Sequence, residues 1–491
     1  MLAVGAASLS NSAGPVMTRV GGEESVMSYL INRWEPENAE FWQKEGQSIA
    51  RRNLWISIPC LTLAFVISVL WSVVTLNLPN AGFNYTKDQL FLLTALPALS
   101  GATLRIFYSF MPSIVGGRKW TTLSTASLLI PALWLGFAVQ DSSTPYPVML
   151  AIALLCGLGS GNFASSMANI AYFFPKAQKG AANGLNAGFG NLGVSLAQFV
   201  IPLVVTGGMF GALGGDAQHY VKEGVEKSLW LQNAGFVWVP FIALATLAAW
   251  FGMNDLADAK ASFTEQAVIF RRKHNWLMCW LYIGTFGSFI GFAGAFALLT
   301  KTQFPEVPVA KFAFIGPLLG ALVRPVGGMI SDKLGGAKVT MWVFVVMALA
   351  VLGILHFLPA HDAAGQLSGG SFAGFFAMFL LLFTMAGVGN GSTYRMIPTI
   401  FTLGRLRAVA GRGEEARKQA EVDGVKESAA AGGFISAIGA YGGYFIPQSF
   451  GASMKATGGA EPALLCFIVF YISCIALCWW FYARKNAEVS C

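Results

Sequence analysis

The stretch LRIFYSFMPSIVGGRKW (104–120) and its echo VRPVGGMISDKLGGAKV (323–339) decide how this chain folds. In each, an arginine in an otherwise apolar run is followed eleven residues later by a glycine pair: Arg105 by Gly116 and Gly117, Arg324 by Gly335 and Gly336. A second echo couples GLGSGNFASS (157–166) to GVGNGSTYRM (387–396). Two motifs repeated at matching places predict an internal duplication, with Arg105 and Arg324 equivalent in its halves.

What surrounds these motifs is apolar. Of 491 residues, 55% are hydrophobic and 11% charged, too little polar material to cover a soluble globule. Lipid is the solvent that composition requires. Runs of about 20 apolar residues can cross a ~30 Å hydrocarbon core at ~1.5 Å per residue. Twelve occur, near 54–78, 90–115, 120–140, 146–174, 181–207, 229–253, 276–300, 310–331, 338–359, 371–401, 429–453 and 462–483. The predicted fold is therefore all-α and polytopic, with six helices in each half. A cytoplasmic segment (1–53) leads into a first bundle (54–253). The polar linker NDLADAKASFTEQAVIFRRKHN (254–275) joins it to a second bundle (276–483), and a cytoplasmic tail (484–491) ends the chain.

The net charge of +8 has a topological origin. Alternate loops hold Arg118, Lys119, Lys176, Lys179, Lys260, Arg271 to Lys273, Lys333, Lys338 and the bases from Arg405 to Lys426, with Arg484 and Lys485 after the last span. The opposite loops hold only Lys87, Lys222, Lys227, Lys301, Lys311 and Lys455. Positive loops stay inside, so both termini are expected in the cytoplasm, and no nucleic-acid partner is implied. The first 50 residues show no cleaved signal peptide, and Met17 or Met27 could each be a later start. Six of the seven cysteines, all but Cys491, lie inside apolar runs and read as packing, without disulfide or metal. The mixed-charge stretch 404–428 reads as a solvated, partly helical loop.

Once charged side chains are assigned to loops or spans, three bases remain inside: Arg105, Arg324 and Arg395. No Asp or Glu is left with them, and the four histidines fall in loops or at a span end. A buried cation without a partner costs several kcal/mol. The absent partner is then a substrate, and an anion. Eleven helical residues from arginine to glycine pair make ~16 Å, about half the core, which puts both arginines near the midplane. Guanidinium stays charged when buried and offers a planar fork to a flat oxyanion. Arg395 lies near the inner end of its span and reads equally as a gate or an interface residue.

Glycine at three- and four-residue spacing lets membrane helices approach closely, which accounts for most of the glycines. It leaves Asn162, Asn191, Asn390 and Ser436, polar groups that are costly in lipid and useful in a narrow wet pocket. Asn191, between Gly190 and Gly193, is the preferred substrate contact. Tyr282 and Phe286, four residues apart, share a helical face, and a buried phenol seeks a partner that an anion could supply. No catalytic triad, metal-ligand spacing or phosphate loop is present, so neither an enzyme nor a cofactor is expected. These residues describe a small oxyanion without choosing among nitrate, chlorate and bicarbonate.

The chain from about 34 to 483 resembles the NarK-type nitrate/nitrite porters of the major facilitator superfamily. The resemblance rests on FWQKEGQSIARRNLWISIPCLTLAF (41–65), DQLFLLTALPALSGATLR (88–105), GLGSGNFASSMANIAYFFPK (157–176), TFGSFIGFAGAFALLTKTQFP (285–305) and GVGNGSTYRMIPTIF (387–401). Gly157, Gly159, Gly161, Gly387, Gly389 and Gly391 resemble the family's signature glycines. The resemblance implies nitrate/nitrite exchange in a bacterial inner membrane by a protein functional as a monomer. It implies that Arg105 and Arg324 clamp the anion, Asn191 and Tyr282 bond it, Phe163 and Phe286 pack above and below its plane, and Ser436 adds a polar contact. Proton symport of nitrate, or a sensor or passive anion channel on the same scaffold, are the rival readings. The longer N-terminus, the 404–428 stretch and Arg395 depart from the family pattern and bear on gating and regulation.

Overall fold

The computed structural model describes residues 29–222, 224–257, 267–361, 367–489 and 491. Met17, Met27 and Lys260 lie outside them. Twelve helices are long and apolar enough to cross a membrane. They are α1 (Ala39–Asn77), α2 (Lys87–Tyr108), α3 (Gly117–Ala138), α4 (Tyr146–Phe173), α5 (Lys176–Val204) and α6 (Asn233–Gly252) in the first half. The second half holds α7 (Lys273–Gln303), α8 (Val309–Leu334), α9 (Gly336–Phe357), α10 (Phe372–Ala408), α11 (Glu414–Thr457) and α12 (Glu461–Ala483). An even number of spans puts Ala39 and Ala483 on one face, called the terminal face below.

Local chemistry starts and stops these helices. Thr86 and Gln89 form a reciprocal capping box at the start of α2, with Gln89 Oε1 accepting from Thr86 N at 2.9 Å. The repeated glycine pairs share a function: Gly116 (φ 104°, ψ 146°) and Gly335 (φ 91°, ψ 132°) hold the same left-sided conformation, which a Cβ would disfavour, and each turns the chain into the next helix. The signature glycines likewise set packing twice over. A Cβ on Gly157 would come within 2.7 Å of the Pro97 carbonyl of α2, and one on Gly391 within 2.1 Å of the Arg324 carbonyl of α8. Close approach of α4 to α2 is thus repeated by α10 and α8, and in each pair the second partner carries the intramembrane arginine.

The loops contain short strands: β1 (Leu30–Ile31) parallel to β4 (Asp255–Leu256), a hairpin of β2 (Gln218–Lys222) and β3 (Val225–Leu229), and β5 (Ala360–His361) with β6 (Leu367–Ser368). Glu488 in the tail pairs with Lys273 at 2.5 Å.

The stretch 404–428 is mostly exposed, as expected, but more helical than its composition suggests. α10 continues to Ala408 and α11 begins at Glu414, so the region is a helical hairpin with its turn at 409–413. Within it Glu427 is buried, accepting from Arg272 and Arg405 at 2.5 Å each. Hydropathy places helix ends where apolarity ends, whereas these helices carry paired charges for several turns beyond their apolar runs. The expected first span likewise begins too late, since α1 starts at Ala39.

Candidate functional site

Arg105 on α2 is fully buried. Its Nε donates to the Ser160 carbonyl at 2.9 Å, Nη2 to Ser160 Oγ at 3.3 Å, and Nη1 crosses to the Ser436 carbonyl on α11 at 3.1 Å. The guanidinium carbon lies 4.8 Å from the Phe163 ring centre and 5.0 Å from that of Phe286. These two rings, one from each half, stack at 6.1 Å with 29° between planes. Phe286 sits in a five-residue π-helical segment, Ile283–Gly287, of α7, the kind of local widening that recurs at functional sites. Tyr282 stacks on Phe286 at 5.3 Å, and its hydroxyl accepts from Arg324 Nη2 at 3.4 Å while donating to Asn390 Oδ1 at 2.7 Å. A continuous chain of contacts therefore runs Arg105–Phe286–Tyr282–Arg324.

The two arginines differ in how far they are satisfied. Arg105 has all three nitrogens engaged, whereas Arg324 Nη1, though buried, has no partner among the described residues. Two carboxylates are buried among those residues, and both are engaged elsewhere: Asp255 holds Arg118, and Glu427 holds Arg272 and Arg405. The site thus brings together two guanidiniums with no side-chain anion among the described residues.

Of the other expected residues, Asn191 on α5 is buried with both amide atoms unpartnered among the described residues, and it forms no hydrogen bond to the arginine cluster. An unpaired buried amide is costly, so a guest that bonds it is favoured. Ser436 reaches the site by its main chain; its hydroxyl donates to Gly433 O of its own helix at 2.8 Å. The rings of Phe163 and Phe286 touch one another. A flat anion between them needs ~7 Å, two van der Waals separations, so the stack as it stands flanks Arg105 and does not sandwich a guest. Arg395 pairs with Asp332 at 2.6 and 3.0 Å, tying α10 to α8 within one half.

Sequence reasoning missed Ser160 and Arg118. Ser160 lies in the same glycine motif as Phe163, and only the α2–α4 packing reveals its role. Arg118, assigned to a loop, is buried between Tyr29 and Trp250 and paired with Asp255. Its signal would have been an acid at the far end of the same half, invisible along the chain.

Among the described residues, hydrogen bonds joining the halves run from Arg105 toward the face opposite Ala39 and Ala483: Arg105 to Ser436, Thr103 to Tyr441 (2.8 Å), Gln198 to the Ala293 carbonyl (2.7 Å) and Lys455 to Asp88 (3.4 Å). On that side a cavity of about 20 Å³ lined by Ser68, Ser72, Thr94 and Ser160 adjoins the site, space for one water. Toward the terminal face, Gly184 and Gly188 of α5 and Gly433 of α11 face open space.

Twelve helices long and apolar enough to cross a membrane, packed in duplicate around two buried arginines, are the architecture of a polytopic secondary transporter. Residues 60–411 match the Major Facilitator Superfamily. The chain is 51% identical over 468 residues to the nitrate/nitrite transporter NarU of Salmonella typhimurium, covering 95% of this chain and 98% of that one. It is 40% identical over 473 residues to the probable nitrate/nitrite antiporter NarK2 of Thermus thermophilus, covering 95% and 100%. A solved bacterial homologue of the human lysosomal transporter Spinster, in an inward-facing and occupied conformation, shares the fold with TM-score 0.58 at 14% identity, over 87% of this chain and 95% of its own. The chain belongs to the major facilitator superfamily and, within it, to the NarK-type nitrate/nitrite porters.

Proposed function

We propose that the protein exchanges nitrate for nitrite by alternating access across a bacterial inner membrane, acting as a monomer with both termini in the cytoplasm. The anion binds between Arg105 and Arg324. The names of the relatives support the substrates, and one observation supports the clamp: Arg324 Nη1 is buried with an unmade hydrogen bond where two guanidiniums have no carboxylate among the described residues. Bound from the terminal face, a monovalent oxyanion relieves the mutual repulsion of the two cations and bonds the free donors. The halves then rock about the occupied site, and the hydrogen bonds on the opposite face break as those on the terminal face form. Guanidinium keeps its proton at physiological pH, so the site itself offers no proton to co-transport.

Labelled nitrate uptake into liposomes tests this. Vesicles loaded with nitrite should take up nitrate quickly at equal pH, and empty vesicles under an inward proton gradient almost none. Rapid accumulation driven by the gradient alone makes the protein a symporter. Flux that ignores internal anion makes it a channel, and binding without flux a sensor.

A further inference from the structure

We propose that the segment Trp71–Asn77 of α1 is a lid over the face opposite Ala39 and Ala483, and that Gln198 is the positioning residue whose amide ties this lid to the second half. α1 is broken inside its span. It runs regularly to Ser68 and resumes at Trp71, with Val69 at φ −114°, ψ 9° between the two parts. The turn is tightened there to three-residue bonds, Val69 N to the Val66 carbonyl at 3.2 Å and Ser72 N to the Val69 carbonyl at 3.0 Å. Such a local tightening marks a hinge within a helix. Beyond it, Trp71–Asn77 packs against α7.

Gln198 on α5 is buried and uses its amide nitrogen twice at this join. Nε2 donates to Ser72 Oγ at 3.2 Å, just past the hinge, and across the halves to the Ala293 carbonyl of α7 at 2.7 Å. Ser72 can accept because its own proton goes to the Val69 carbonyl at 2.7 Å. The same side chain limits the hold it provides. Gln198 Oε1 is buried with no partner among the described residues, a cost that lifting the lid into water removes. One amide thus both closes the lid and keeps the closure reversible. Beneath the lid lies the cavity of about 20 Å³, lined by Ser68 and Ser72 of α1, Thr94 of α2 and, beside Arg105, Ser160 of α4. Lifting Trp71–Asn77 about the hinge therefore uncovers the anion site from this face.

The inference deepens the alternating-access reading, and its test needs no anion. Thr94→Cys places a thiol in the cavity of the full-length protein, with the exposed Cys466 replaced by serine. A membrane-impermeant methanethiosulfonate is added to intact cells and to inverted vesicles at mildly alkaline pH, so that each face is probed alone. Labelling rates are compared among native Gln198, Gln198→Glu and Gln198→Leu. Through the face opposite Ala39, Gln198→Glu should label about tenfold faster or more, because an ionised carboxylate has no proton for Ser72 or Ala293. Gln198→Leu should label about threefold slower or more, because closure then buries an apolar side chain in place of an amide with an idle acceptor. Loss of packing alone does not give changes of opposite sign. Equal rates in all three, faster labelling in both variants, or a change confined to the other face would overturn the lid and its tie. Should Gln198→Glu not be recovered folded, Gln198→Leu decides alone, and an equal or faster rate overturns the inference. Nitrate uptake into liposomes, run beside the labelling, reports on alternating access itself, so a failure of that reading is told apart from a failure of the lid.

Discussion

Replacing Gly391 by alanine should separate the two arginines without touching either side chain. The new methyl would meet the Arg324 carbonyl at 2.1 Å and the Gly328 amide nitrogen at 2.8 Å, both main-chain atoms. Ordinary contact begins at 3.4 Å, so α8 must retreat from α10 by about 1.3 Å. Overpacking of this kind costs ~1–3 kcal/mol in stability. The retreat also carries Arg324 away from Tyr282, whose hydroxyl it reaches at only 3.4 Å, the long limit of a hydrogen bond. A hydrogen bond to a charged group is worth ~1.5–3 kcal/mol, which amounts to roughly ten- to a hundredfold in affinity. Nitrite titration and thermal melting of the purified protein should therefore both report the change. Gly328→Ala is the control: it lies on the same helix with nothing within 4 Å of its Cβ position, and should leave both measurements unchanged. Wild-type affinity and melting in Gly391→Ala would refute the claim that this approach sets the clamp.

Arg105→Lys and Arg324→Lys should each abolish exchange in liposomes while the protein remains folded, because ammonium keeps the charge but loses the planar fork; normal uptake by both would end the clamp. Tyr282→Phe should weaken nitrite binding by ~0.5–1.5 kcal/mol with the ring stack kept, measured by the same titration. Glu427→Gln removes the carboxylate that Arg272 and Arg405 share, and should cost about 1–3 kcal/mol of stability, less than a fully buried pair because both arginines are partly exposed. Its nitrite affinity should stay at the wild-type value, since the cluster lies outside the anion pocket.

Much of this arrangement was legible along the chain, because charge in lipid is rare enough to be read singly. Arg105 and Arg324 stood out against their apolar runs, and the glycine pairs eleven residues on marked them as equivalent in the two halves. Glycine spacing also announced close helix packing correctly. What could not be read is which residue meets which across helices. Ser160 and the Ser436 carbonyl bond Arg105 only because α4 and α11 pack on α2, and a main-chain acceptor leaves no trace in residue type. Tyr282 was legible as a buried phenol, but its choice of Asn390 depends on where two glycines let α10 settle. The helices on either side of 409–413 run further than expected because polarity marks the end of an apolar run and says nothing of where a helix ends.

The bond from Arg105 Nη1 to the Ser436 carbonyl joins one half of the carrier to the other. An anion that claims this N–H takes it from the opposite bundle, so cargo and latch compete for a single donor. On the exchange proposed above, loading the site and unlatching the halves become one event. Wasteful slippage, the return of an unladen carrier that would let one gradient dissipate unmatched by the other, must break that bond with nothing to replace it. Tight stoichiometry would thus be a property of one guanidinium nitrogen and the carbonyl it faces.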